Sequence, residues 1–271
     1  MPTLINWQIW AVVALRRVEA DKHSVPEAQG WISNRTRFMD FSSPLVPAVF
    51  LKRYNRFLAD FQMANGSTVT AHCANTGSML GLLTPGSAAM LSHSDNPQRK
   101  LAYTWELVRE NDSWVGIHTG RTNTIVLEAL RREILPEFIG YGEFKSEVQV
   151  ADGSRLDFRL SKDGLPDCFV EVKSVTLRQG NVALFPDAVT KRGHRHLEVL
   201  ASLKQQGHRS ALLFIVQRED CVLFRPASAI DPTYAATLRQ VVQAGVEVLV
   251  YHCAVCPQAI TLSRSVPQDL D

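Results

Sequence analysis

The chain has 271 residues, 45% of them hydrophobic and 21% charged, which is enough apolar material for two cores of ordinary domain size and excludes global disorder. Its formal net charge is +2, and because residues 1–38 hold five Lys or Arg against three Asp or Glu, the rest of the chain balances at 24 of each. Overall basicity therefore cannot draw a polyanion to this protein, and any such site must be local.

No run reaches the roughly 18 consecutive apolar residues that a membrane-spanning helix needs. The longest, residues 5–15, is interrupted by Asn6 and Gln8. It has no basic residue before it and carries Arg16 and Arg17 after it, which is unlike a secretion signal, so a cytoplasmic location is expected. Five scattered cysteines fit reduced thiols better than a disulfide framework.

Residues 1–38 show no repeat and no clear helix caps, and a polar break runs from Met39 to Pro44. We read 1–38 as an N-terminal extension outside the fold, with Met39 the expected first residue of the folded part. From 39 to 118 the pattern is a series of short alternating runs at 46–54, 57–63, 68–72, 88–92, 101–108 and 114–117, with turn signals at Asn65-Gly66 and Pro85-Gly86. Several short strands with tight turns in about 70 residues predict a small barrel, and an OB-like barrel suits that size.

The grammar changes over 119–271. Apolar residues at Ile125, Val126, Ala129, Leu130 and Ile134 have a helical period that Pro136 closes. Three strand-like runs follow at 144–150, 155–160 and 168–177, with turns at Asp152-Gly153 and Asp163-Gly164. A helix at 188–206, a strongly apolar strand at 210–216, a helix at 232–244 and a strand at 246–251 complete the chain. This order predicts an α/β unit with a mixed sheet and flanking helices.

The second of the three runs carries Asp157, and the third carries Glu171-Val172-Lys173. Strand side chains alternate, so Glu171 and Lys173 share one face, and Asp157 is expected on the face opposite to both Leu156 and Phe158. On neighbouring strands the two carboxylates converge beside Lys173. Carboxylates so placed repel unless a cation lies between them, and hard oxygen ligands suit Mg²⁺. The lysine then serves a water or a phosphoryl oxygen. This is the Asp, Glu-x-Lys signature of the PD-(D/E)XK nuclease fold, and the αβββαβ order matches that core. Glu128 on the preceding helix is either a third metal ligand or the i,i+4 partner of Arg132.

The local positive charge lies at 173–209, where Lys191, Arg192 and Arg195 on one predicted helix are the expected phosphate contacts. Asp187, just before that helix, reads as an N-cap or first-turn acid. In the barrel, Lys52, Arg53, Tyr54, Arg56 and Phe57 interleave cations with rings, and Arg99, Lys100, Tyr103 and Trp105 repeat the mixture. Single-strand binders and half-buried barrel aromatics both give this pattern. Cys253 and Cys256 form one C-x-x-C without a second pair, so a core strand end is expected there rather than zinc. No Walker loop, H-E-x-x-H or G-x-S-x-G occurs.

From Met39 onward the chain resembles the sugar fermentation stimulation protein A (SfsA) family. The resemblance rests on LKRYNRFLAD (51–60), AHCANTGSML (71–80), SDNP (94–97), YTWE (103–106), RLDF (155–158), EVKSVTL (171–177) and VALFPDA (182–188). It implies an OB-like N-terminal domain, a nuclease-like C-terminal domain and sequence-non-specific DNA binding, with a regulatory link to maltose use. Ala74 stands where the family usually has Pro, and Ser174 where it usually has Asn. Three functions are then in play: DNA binding without turnover, Mg²⁺-dependent cleavage through Asp157, Glu171 and Lys173, and sugar-responsive regulation. No aromatic and carboxylate cluster specifies a sugar, which ranks the last reading third.

Overall fold

The computed structural model describes residues 41–150 and 153–271. The predicted extension at 1–38, the start of the polar break at Met39, and Asp152 of one predicted turn lie outside the described residues. Among the described residues six strands come first: β1 (Val46–Tyr54), β2 (Leu58–Met63), β3 (Thr68–Cys73), β4 (Ala88–His93), β5 (Tyr103–Glu110) and β6 (Ser113–Gly116). They pair in the order β3-β2-β1-β4-β5-β6, and β3 also pairs in parallel with β5, Ala71 opposite Tyr103, which closes a five-stranded OB barrel. The Asn65-Gly66 turn forms as expected, with Gly66 at φ +82, a region that L side chains rarely adopt.

Alternation along these strands sends their large residues inward. Phe50 stacks on Trp105 with centroids 4.9 Å apart, and Phe61 meets the same indole edge-on at 5.1 Å. Trp105 is fully buried, so it fills the barrel instead of offering a stacking platform to a base. The ambiguity of the barrel aromatics resolves toward the core at this position, because closure turns the β5 face inward.

The second unit contains α1 (Thr119–Arg131), β7 (Glu143–Gln149), β8 (Arg155–Ser161), β9 (Cys168–Val175), β10 (Leu177–Gln179), β11 (Val182–Phe185) and α2 (Lys191–Gln205). It continues through β12 (Arg209–Val216), β13 (Leu223–Pro226), α3 (Pro232–Gln243), β14 (Glu247–Val255) and β15 (Ile260–Ser265). Six strands form a mixed sheet in the order β15-β14-β12-β9-β8-β7, parallel from β9 to β14 and antiparallel at both edges. Helix α1 covers one face through Ile125, Val126, Ala129 and Leu130, while α2 and α3 cover the other through Leu197, Leu200, Tyr234 and Leu238. Thr190 caps α2 by accepting from Gly193 N–H, and Asp231 caps α3 ahead of Pro232. This is the mixed sheet with flanking helices of a PD-(D/E)XK nuclease-like fold. The small sheet β10-β11-β13 was not expected, because runs of three or four residues carry too little alternation to register as strands.

The two units share a core. Leu45, Met90, Leu107 and Trp114 of the barrel pack with Ile125, Ala129, Ile260 and Leu262 of the second unit in one continuous cluster. Charged groups tie the same junction. The barrel's Glu110 receives Arg178 at 3.1 Å and the fully buried Arg218 at 2.7 Å. Among the described residues, no helix is long and apolar enough to cross a membrane.

Candidate functional site

The β8–β9 ladder runs from Leu160 opposite Cys168 to Phe158 opposite Val170. One step further, the same register sets Asp157 across from Glu171, and the strands part. The Asp157 carboxylate enters the gap and accepts from the Val172 N–H at 2.7 Å through Oδ2, while Asn123 of α1 donates to Oδ1 at 2.7 Å. The parting coincides with a change of face that alternation did not predict. Phe158 and Leu160 pack on the α1 side, but Leu156 packs on the α2 side, as Val148 does on neighbouring β7. Glu147, between the Ser146–Phe158 and Val148–Leu156 pairs of that hairpin, has φ +55. A left-handed residue in a strand rotates the hairpin locally, so Asp157 is flanked by neighbours on opposite faces and not, as expected, by two on one.

Glu171 is 3% exposed. Its Oε1 accepts from Lys173 Nζ at 2.5 Å and from Nδ1 of His196, a buried residue of α2. Its Oε2 is buried and has no hydrogen-bond partner among the described residues. Burial raises the pKa of Glu171, but the hydrogen bonds from His196 and Lys173 and the Lys173 charge outweigh burial and hold the carboxyl below its ordinary range. Asp157 goes the other way. Burial, then the neighbouring Glu171 charge, push it up to about 6 against the hydrogen bonds from Val172 and Asn123. Two carboxylates with opposed shifts side by side form a site that favours one proton or one cation.

Both line a cavity of about 340 Å³ at the junction of the two units, together with Asn123, Lys173, Asp187 and Arg192, and with Asn75 and Gly77 from the barrel. The barrel wall is held in place. Arg53 donates to the carbonyl oxygens of Asn75 (2.7 Å) and Gly77 (3.0 Å), and Asp187 accepts from Ser78 Oγ at 3.1 Å and Met79 N–H at 3.0 Å through Oδ2. Asp187 is therefore a latch between the units, and Thr190 is the residue that caps α2.

Glu128 is not brought to this cavity. Asn123 faces Asp157, and five residues on, at 3.6 residues per turn, a helix side chain points well away. Glu128 pairs with Arg132 at 3.1 Å, the alternative its i,i+4 spacing had offered. The cavity thus brings two carboxylates together, those of Asp157 and Glu171. No group of three or more His, Cys, Asp or Glu side chains arranged to hold a metal occurs among the described residues.

The expected phosphate contacts divide into several environments. Arg192 lines the cavity and donates from Nε to His196 Nε2 at 3.3 Å. Arg195 lines a separate concavity with Val150, Glu198 and Ser202, and Lys191 is exposed at the start of α2. In the barrel, Arg53 is committed to the carbonyls of the 75–78 loop, and Lys52 pairs with Asp60 at 3.5 Å. Arg56, Arg99 and Lys100 are exposed, with Arg99 donating to Thr104 Oγ1. Cys253 is buried on β14 and Cys256 is exposed, as expected of a core strand end. Sequence reasoning missed His196 and Asn123 because each touches a carboxylate from another element. The only local signal was the i,i+4 spacing of Arg192 and His196.

A family model described as the sugar fermentation stimulation protein RE domain matches residues 120–259. A second, described as the SfsA N-terminal OB domain, matches residues 51–117. A sugar fermentation stimulation protein homolog of Magnetococcus marinus is 50% identical over 232 residues, covering 86% of this chain and all of the relative. The homolog of Geotalea uraniireducens is 49% identical over 226 residues, 83% of this chain and 97% of its own. The solved structure of Pyrococcus furiosus SfsA in complex with Ca²⁺ matches with a TM-score of 0.79 and 28% identity, over 86% of this chain and 99% of that one.

Proposed function

The chain belongs to the sugar fermentation stimulation protein family, and from that premise and the chemistry of the junction cavity we propose that it binds the phosphodiester backbone of DNA there, with a divalent cation held by Asp157 and Glu171. The observation that carries this reading is Glu171 Oε2, a buried carboxylate oxygen without a hydrogen-bond partner among the described residues, lining the same cavity as Asp157. A buried ionised oxygen without a partner is costly unless a cation compensates it. Two carboxylates with room for water fit Mg²⁺, which keeps several of its waters and uses one or two protein oxygens. The relative from Pyrococcus furiosus was solved with Ca²⁺, another cation that prefers oxygen. When bound, the cation offsets the repulsion between the carboxylates and acts as a Lewis acid on a phosphoryl oxygen or a water.

The chain's own residues then have separate tasks. Asn123 and the Val172 N–H fix the Asp157 carboxylate, and the Arg192 guanidinium meets a phosphate in the cavity. The exposed Lys191, Arg56 and Lys100 contact phosphates further along the strand. Such contacts read charge and not base, so binding is sequence-non-specific. Lys173 favours a second reading, phosphodiester hydrolysis. Its ammonium is anchored on Glu171 and lines the cavity, where it can hold a nucleophilic water or stabilise charge on the phosphate. The regulatory link to sugar use follows, in our reading, from occupancy of DNA and not from a sugar pocket.

Purified full-length protein mixed with labelled single-stranded, duplex and branched DNA, in Mg²⁺, in Mn²⁺ and in EDTA, tests both readings. Retention of DNA in all three buffers with no product supports binding alone. Products that vanish in EDTA and in Lys173→Ala establish hydrolysis. Absence of retention overturns the proposal.

A further inference from the structure

We propose that His196 is a positioning residue that couples the phosphate contact of Arg192 to the metal-facing oxygen of Glu171; the inference rests on the metal reading above. The hydrogen-bond directions decide its form. The Arg192 Nε–H can only donate, so His196 Nε2, 3.3 Å away, must accept and carries no proton. The ring proton of the neutral imidazole then lies on Nδ1, which donates to Glu171 Oε1. Lys173 Nζ, 3.3 Å from that nitrogen, directs its own hydrogen bond to Oε1 at 2.5 Å. Two donors converge on one oxygen of Glu171 and, among the described residues, none reaches the other. The carboxylate is thereby locked with Oε2 free.

The chain Arg192–His196–Glu171 runs from an exposed guanidinium on the cavity wall to a carboxylate that is 3% exposed. Its middle member is 4% exposed and one turn along α2 from Arg192. A phosphate that draws the guanidinium toward itself changes the Nε–H contact that fixes the tautomer, and so acts on the ligand oxygen without touching it. Groups that orient metal ligands in this way are typically worth about 10–100-fold in metal affinity.

The test uses the full chain with ¹⁵N-labelled histidine, the His196 ring signals being assigned by their disappearance in His196→Asn. Nitrogen chemical shifts report the tautomer without any destabilising substitution. An Nδ1-protonated ring whose shifts move on adding Mg²⁺ to the wild type, and do not move in Asp157→Asn, is the expected result. An Nε2-protonated ring, or ring shifts indifferent to Mg²⁺ in a protein that calorimetry shows to bind it, overturns the proposal.

Calorimetric Mg²⁺ titration supplies the second readout. The Asn amide reaches the position of Nδ1 but not of Nε2, so His196→Asn should stay within about threefold of wild-type affinity, whereas His196→Leu, of similar bulk, should lose about tenfold or more. Equal affinity in wild type and His196→Leu refutes the positioning role while leaving the metal site standing. A wild type that binds no Mg²⁺ overturns the metal reading and this inference with it.

Discussion

Asp157 ionises against two opponents, its burial and the Glu171 charge, which together raise its pKa to about 6 from the ordinary 3.8. The folded state therefore holds a proton that the unfolded chain has released between those two values. Stability from this group is fully present below about pH 4 and is lost as pH rises through about 6. Asp157→Asn removes the penalty while its amide still accepts from Val172, and Asn123 can turn its own amide to match. Without metal the variant should be more stable than wild type at pH 7–8, by on the order of 1–2 kcal/mol after discounting for contact with solvent. The gap should close below pH 4 in urea unfolding series. In Mg²⁺ the order should reverse, because only the wild type gains binding free energy. Asp157→Asn and Glu171→Gln should each abolish the calorimetric Mg²⁺ signal, and Lys173→Ala should keep most of it, since the lysine is no ligand. The convergence of Asp157, Glu171 and Lys173 could be read from the sequence because the register of neighbouring strands acts over a few residues, although alternation missed the change of face at Asp157. His196 could not, since its role depends on which helix the chain lays against β9.

At the scale of elements, the segment before α2 and the 75–78 loop of the barrel are joined by the Asp187 carboxylate and a glycine. A Cβ at Gly77 would lie 2.7 Å from Asp187 Oδ2 and 3.1 Å from Asn75 Oδ1, so the approach of these elements requires the absence of a side chain. Gly77→Ala should destabilise the protein by about 1–3 kcal/mol, and Asp187→Ala by about 1–2 kcal/mol through loss of the Met79 N–H bond to the carboxylate, while the Ser78 hydroxyl keeps its 2.7 Å bond to the Asp187 carbonyl oxygen. The double variant should cost clearly less than the two together, because the clash and the latch share one carboxylate. Simple additivity in chemical denaturation would show that they act independently. Here the sequence misleads for a physical reason. An acid shortly before a helix looks like a cap, but a Thr three residues on already supplies the cap, which frees Asp187 for a partner 109 positions away. The barrel and the central strands were legible because their apolar periods are long. The β10-β11-β13 sheet was not, and it supplies Leu177, Leu184 and Phe185 to the cavity lining.

The whole molecule is nearly neutral with a local concentration of cations, so in the proposed DNA-binding reading the affinity comes from counterion release at a few phosphates. A plot of log affinity against log salt should be steep and linear, and similar for unrelated sequences. A slope near zero would exclude a phosphate-backbone interface. Because Leu45, Met90, Leu107 and Trp114 share a cluster with α1 and β15, calorimetric melting should show one transition, and separating the barrel from the second unit should expose that cluster and yield aggregation-prone fragments. Two resolved transitions would contradict the shared core.

The continuity of that core has a mechanical meaning. Domains joined by a polar linker can swing apart to admit a ligand, but here the junction that walls the cavity is also packed interior, which deforms little and transmits strain. A mouth that cannot widen leaves the adaptation to the DNA that we propose it binds. Bending intact duplex over one site costs about 1–6 kcal/mol, a cost that a frayed end, a gap or a displaced strand avoids. In the proposed DNA-binding reading, a rigid opening of this kind sorts nucleic acids by how easily they yield.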